Sequence, residues 1–545
     1  MLARPGRLFH TGDQRGRDAA GHGEEALGQA GGRGWGGVAV ALLAFATQAL
    51  AQPVQGFDYA TLVRKAQHLA ANPFKAQARI PGIGGFTYDQ YRSVHFRPGA
   101  TVWPHRRFHL QLFAPGYRFA RAVSVYVVTS GRARRLGFHP SFFRHPKGLY
   151  PRPLPAHIGY AGFRLLYDGY DPRRSKVATN KQVIVFLGAS YFRAKGSREQ
   201  FGLSARGLAL DTIAPHPEEF PHFVAYWIRR PARRARTITV FALMNSPSAA
   251  AAFRFRIRPG RAVHVRVRAT FFFRRPVREL GIAPLSSMYM YDLCDRRPWA
   301  YLRPAVHDSE GFLLKSQHAV RWRQLANPAR VHQFLFPVNH LRGFGLIQRD
   351  RDFSDYRSVS MRYQGRPSVW VRPHGAWGAG EATLIEIPSP NETNDNIAVF
   401  WQPAHRPPLE QPYPVRYTLI WNGVGPRESR ARVVQTRASA RCPGRPLRFA
   451  IEFSGAALAH LMRGGHLAAR VRARGPGALI SGIRLGAVGH GRVRLSFTVG
   501  AVRPRALRVR AVLIDRGRPV SEVWDYVVAS EEPPIHVLRR AGRTP

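Results

Sequence analysis

Carboxylates are scarce in this chain, which makes their placement informative. Against 83 Lys and Arg there are 32 Asp and Glu, yet Glu381, Glu386, Glu392 and Asp395 crowd one stretch, E-A-T-L-I-E-I-P-S-P-N-E-T-N-D-N-I over 381–397. There an apolar strand runs into an Asn/Asp-rich turn. A second loop, R-P-A-V-H-D-S-E-G over 303–311, sets Asp308 beside His307 and Ser309. Two carboxylates on turns that end strands, with aromatics nearby, suit hydrolysis of a sugar linkage: one protonates the leaving oxygen and the other activates water. Asp395 and Asp308 are therefore the lead pair. A general acid must hold its proton at working pH, so Asp395 needs a pKa raised by burial or by a second carboxylate, with Glu392 and Asp308 as the candidates. Asn and Asp also cap turns through their own backbones, so both segments read equally as structural turns.

Around this pair the polar residues are specific in kind. Tyr356, Trp370 and Trp377 offer flat apolar faces on which pyranose rings can stack, while Gln348, Arg349 and Arg351 are suited to hydroxyls or to a proton relay. Core packing is the alternative for each aromatic, and a solvated ion-pair network the alternative for the arginines. Other chemistries find no support. The chain has no G-x-S-x-G elbow, Walker A loop or H-E-x-x-H, and its 22 His are scattered. No cofactor and no metal are expected. Two cysteines, Cys294 and Cys442, stand as two thiols or one bridge and form no zinc set.

A formal net charge of +51 would ordinarily suggest nucleic acid. Only seven of the basic residues are Lys, and the Arg are spread along the whole chain beside abundant Ala, Gly and Pro. That pattern reads as GC-rich codon usage, and no specific nucleic-acid partner is expected.

The elements that must carry these residues are mostly strands. Period-2 alternation recurs at 108–112, 237–241 and 263–268, separated by Gly/Pro turns, which predicts an all-β fold. One helix is expected first, with Asp58 as N-cap, Leu62, Val63, Ala66, Leu69 and Ala70 at helical spacing, and Asn72-Pro73 as its stop. Residues 36–51 form an apolar run ending A-L-A, a cleavage pattern too short for a comfortable membrane span, with no twin-Arg pair before it. The expected organisation is an N-terminal extension and signal peptide (1–51), a large β-sandwich (52–402), a Pro-rich linker (403–414), an immunoglobulin-like sandwich of six strands starting with Val415–Trp421 (415–532), and a basic tail (533–545).

Several long segments together carry a resemblance. G-A-S-Y-F-R (188–193), F-G-L-S-A-R-G-L-A-L-D-T (201–212), G-I-A-P-L-S-S-M (281–288), R-P-A-V-H-D-S-E-G (303–311), G-F-G-L-I-Q-R-D-R-D-F (343–353), R-P-S-V-W-V (366–371) and E-I-P-S-P-N-E-T-N-D-N-I (386–397) resemble the bacterial periplasmic glucan biosynthesis proteins G and D, from about Phe57 to Tyr526. The resemblance implies a galactose-mutarotase-like β-sandwich followed by an immunoglobulin-like domain, and export to the periplasm. It implies action on a β-1,2-linked glucose backbone, as an inverting endo-glucanase or a transglycosylase. On it Asp395 takes the place of the general acid, and Asp308 that of the base acting through a hydrogen-bond relay. A non-catalytic glucan-binding or scaffold role beside the inner-membrane glucan synthase is the remaining alternative. The missing twin-Arg pair fits protein G better than protein D.

Overall fold

The computed structural model describes residues 55–528, apart from 151–157, 171–176, 293–301, 440–445, 501–506 and the single residues 427, 476 and 490. The expected signal peptide, the basic tail and both cysteines lie outside the described residues. The all-β expectation holds. Among the described residues, two large sheets of 16 and 10 strands and one four-stranded sheet account for most of the chain.

The helix Tyr59–Ala70 forms as its sequence dictates: the Asp58 side chain accepts from the Thr61 N–H at 2.6 Å, and Leu62, Ala66 and Ala70 turn inward. They pack on Ala250, Ala252 and Phe272 on the outer face of the large sheet. The opposite faces of the 16- and 10-stranded sheets enclose a single apolar core. Phe253, Phe255, Val265 and Val267 come from the former, and Leu165, Phe186, Leu285 and Val399 from the latter. Alternation along His264–Arg268, with Val265 and Val267 buried and Arg266 exposed, is the period-2 signal realised.

The expected start of the second sandwich is corrected. Tyr413–Asn422 pairs with Val263–Phe273 on one side and with Ser368–Pro373 on the other, deep within the large sheet. The prolines before it do stop the preceding strand, but the chain then returns to the same sheet, because Val415, Tyr417, Leu419 and Trp421 find their core there. The second apolar cluster is built from Arg432–Ala438, Leu447–Ser454, Ile480–Gly489 and Arg492–Val499 on one layer, and Leu467–Arg474, Leu507–Asp515 and Val523–Val528 on the other. The latter layer is continuous with the large sheet, since Val320–Gln324 runs parallel to Val523–Val528 with Trp322 opposite Trp524.

Candidate active site

The Asn391–Asn396 turn joins Gly380–Glu386 to Ile397–Pro403, adjacent antiparallel strands of the 10-stranded sheet. Its capping is done by the asparagines. Asn391 Oδ1 accepts from the Thr393 N–H at 3.1 Å, and Asn396 Nδ2 donates to the Ile387 carbonyl at 3.1 Å. The Asp395 carboxylate is left to face inward, with side-chain exposure of 13% and Oδ2 buried without a hydrogen bond, 3.7 Å from an Arg193 nitrogen.

Asp308 arrives from another part of the chain. Val306–His307 pairs with Tyr289–Tyr291, and the Asp308 N–H donates to the Met288 carbonyl at 2.8 Å. Successive residues on a strand point to opposite sides, so His307 goes into the interior while Asp308 turns toward Arg366, with which it forms a close ion pair. The two carboxylates are brought together by Asn396. Its Oδ1 accepts from the Tyr289 N–H at 2.8 Å and its Nδ2 donates to the Tyr289 carbonyl at 2.9 Å.

This meeting is felt electrostatically. Burial raises the Asp395 pKa above the ordinary carboxylate value; Arg193, Arg206 and Arg366 pull it back, and the Asp308 charge pushes it further up. Of the two candidate neighbours, Asp308 is the carboxylate whose charge acts on Asp395. Glu392 is directed instead to Arg303, 2.6 Å away on the rim.

The other expected site residues go elsewhere. Trp370 is buried, its indole laid over the glycines of G-F-G: a Cβ on Gly343 would sit 2.4 Å from the ring. Tyr356 is fully buried, and its hydroxyl accepts from Gln348 Nε2 at 2.8 Å and donates to the Asp350 carbonyl at 3.3 Å. Trp377 packs against Trp401 and Tyr417 just before the strand Gly380–Glu386. The turn lies past that strand's far end, about 20 Å along it. Tyr356 and Trp370 thus have buried rings, and Trp377 sits at the opposite end of this strand from Asp395.

Arg349 forks onto Glu522 of the C-terminal sandwich at 2.7 and 2.8 Å, stacked over Trp322 with its guanidinium carbon 3.7 Å from the ring centroid. Arg351 is spent on backbone carbonyls, those of Gln348, Gln364, Arg366 and Gly423. Both arginines tie segments together.

Gln348 belongs to a buried network behind Asp308. Its Oε1 lies 2.9 Å from His307 Nδ1, and the other ring nitrogen is 3.9 Å from Asp292. Glu310 accepts from the Arg349 and Asp350 N–H groups at 3.1 and 3.2 Å. Burial and then the Asp292 charge push Glu310 up to about 7, and burial pushes Asp350 up to about 8.

The groups that the residue pattern missed are Arg193, Arg206, Arg366 and Tyr191. Arg206 donates to Glu218 at 2.6 Å and to Ser286 at 3.0 Å, and lies over the Tyr191 ring at 5.3 Å. In a chain with arginine almost everywhere, nothing local distinguishes these from their neighbours. Among the described residues no cluster of three or more His, Cys, Asp or Glu could hold a metal ion, and no helix is long and apolar enough to cross a membrane.

Asp395, its pKa raised by burial, thus stands near an Asp308 that is ion-paired to Arg366. The family model for periplasmic glucan biosynthesis protein MdoG matches residues 57–528. The chain belongs to the periplasmic glucan biosynthesis protein family. It is 37% identical over 510 residues to glucans biosynthesis protein G of Ralstonia nicotianae, covering 90% of this chain and 99% of that one. It is also 37% identical over 491 residues to glucans biosynthesis protein D of Stenotrophomonas maltophilia, covering 88% and 90% of the two chains. The similarity extends to proteins G and D alike, and membership supports a role in periplasmic glucan biosynthesis.

Proposed function

We propose that this protein cleaves the β-1,2-glucan backbone internally, with inversion, in the periplasm. The observation that carries the reading is the placement of Asp395 and Asp308. One carboxyl is buried and holds its proton more tightly than usual; the other is ion-paired to Arg366 and close enough to bias the first. Asp395 protonates the leaving glycosidic oxygen. Asp308 draws the proton from the attacking water, directly or through a chain of hydroxyls. Arg193, Arg206 and Arg366 balance the site so that the pair does not repel itself apart, and Tyr191 and the Arg303–Glu392 rim are the nearby groups suited to sugar hydroxyls. The inner-membrane glucan synthase is the supplier of the chain on this reading, and the protein reaches it through a cleaved signal peptide.

The test is chromatography of linear β-1,2-glucan after incubation with the protein and with Asp395→Asn. Shorter oligosaccharides from wild type alone, with a loss of about 10²–10⁴ in the variant, are expected. Nuclear magnetic resonance of the first products should show the inverted anomer. Longer or cyclic products would make the protein a transglycosylase using the same acid. Bound but unchanged glucan would replace the enzyme reading with that of a scaffold, which the Arg366 clamp on Asp308 would then serve by fixing the loop.

A further inference from the structure

The outer face of the large sheet holds a second feature, independent of the reaction at Asp395. Helix Tyr59–Ala70 covers the part of this face made by Ala250, Ala252 and Phe272. Beyond the Ala252–Thr270 pair arginines begin, the first of them, Arg254 and Arg268, lying against Tyr59 at the start of the helix. Arg254 is directly opposite Arg268, and Arg268 is directly opposite Arg416 on the next strand. The adjacent row sets Arg256 opposite Arg266, with Thr418 and then Arg372 beyond. Between these rows and His374 lies a cavity of about 240 Å³.

Like charges directly opposite on neighbouring strands destabilise a sheet, and elsewhere this protein neutralises them. Arg508 and Arg510 close on Asp525 at 2.8 and 2.9 Å, and Arg494 closes on Glu452 at 2.7 Å. Among the described residues, no carboxylate pairs with Arg254, Arg256, Arg266, Arg268 or Arg416. Arg268 is held in place by stacking on Tyr59, 4.8 Å from its ring, while its Nε is buried with no hydrogen-bond partner. His374 is fixed by Thr418 at 2.7 Å, and partial desolvation with the charges of Arg372, Arg266 and Arg416 lowers its pKa.

We propose that this cavity is a binding site for a multivalent phosphate-class anion, whose oxygens take the place of the missing carboxylates. Guanidinium forks about 4.8 Å apart across strands can each give paired N–H bonds to phosphate oxygens. A soluble phosphate and a phospholipid headgroup present the same chemistry, and two arms of one experiment separate them.

Inorganic pyrophosphate is titrated calorimetrically into the chain from Gln52 onward in low-chloride buffer. In parallel, the protein is sedimented with phosphatidylglycerol vesicles and with phosphatidylcholine vesicles. Pyrophosphate binding that falls by roughly tenfold or more in Arg256→Gln/Arg266→Gln, and by little in Arg470→Gln/Arg472→Gln, would support the site. Both pairs remove the same charge from exposed strand positions. Co-sedimentation with phosphatidylglycerol alone, abolished by the first pair only, would support it with a lipid headgroup as the source. Absence of binding in both arms would overturn the proposal, and so would an equal loss in the two variant pairs, which would mean diffuse surface charge.

Discussion

Asn396 grips the backbone of Tyr289 at both its N–H and its carbonyl, at 2.8 and 2.9 Å. The two residues are 107 positions apart, and this bracket connects the turn bearing Asp395 to the ribbon bearing Asp308. Tyr289 pairs with His307, the residue before Asp308, so the carboxylates are registered through one side-chain amide. Asn396→Ala should therefore cost more than packing. Loss of two or three buried hydrogen bonds predicts a destabilisation of about 2–4 kcal/mol, read by urea denaturation. Glucan cleavage should fall even at temperatures where the variant remains folded. Full activity in a folded Asn396→Ala would mean that the bracket does not register the pair.

Arg193 gives a directional test of the acid assignment. Burial and Asp308 hold the Asp395 pKa up while Arg193 draws it down. A general acid works while protonated, so activity is present below its pKa and lost as pH rises through it. Arg193→Gln should raise that pKa and move the alkaline limb of the kcat profile to higher pH. A limb that stays in place or moves down would take the role away from Asp395.

The buried acids behind Asp308 predict how stability responds to pH. Glu310 and Asp350 hold their protons in the fold up to about 7 and about 8, against ordinary values of 4.5 and 3.8. Between those values the folded chain binds more protons than the unfolded one. The stabilisation is complete below about pH 4 and is lost as pH rises through 7 to 8. Asp292, His307, Arg349 and Asp355 are the charged or titratable groups around the pair. Calorimetric scans should show a lower Tm at pH 8 than at pH 5, and Glu310→Gln should flatten that slope. A Tm that climbs over the same interval would contradict the burial of these acids.

The junction of the two sandwiches rests on Arg349 and Glu522, with side-chain exposures of 7% and 1%. Glu522→Gln should destabilise the fold by about 3–5 kcal/mol, because an unpaired guanidinium remains buried. Arg349→Met combined with Glu522→Leu should cost clearly less than the two single changes added together. The product pattern on glucan should be the same in all three. A changed pattern would return Arg349 to the sugar site.

Local sequence carried much of this in readable form. The helix after Asp58, the alternating strands and the motifs around Asp308 and Asp395 depend on neighbours a few residues away, and period and capping report such neighbours directly. The packing of Tyr356, Trp370, Arg349 and Arg351 was not legible, for the opposite reason. A Trp suited to a sugar is equally suited to a pair of glycines, and an Arg suited to a hydroxyl is equally suited to a distant Glu522. Residue type alone carries no information about which partner arrives.

The sequence by itself determined that strands would dominate, that Asp308 and Asp395 would fall near strand ends, and that the charge would be carried by arginine. Only the tertiary structure decided that Tyr413–Asn422 belongs to the large sheet. It also decided that Asn396 rather than Asp395 caps the turn, and that Asp308 becomes the neighbour of Asp395. Burial and long-range charge set those outcomes, and both depend on atoms that chain order keeps far apart.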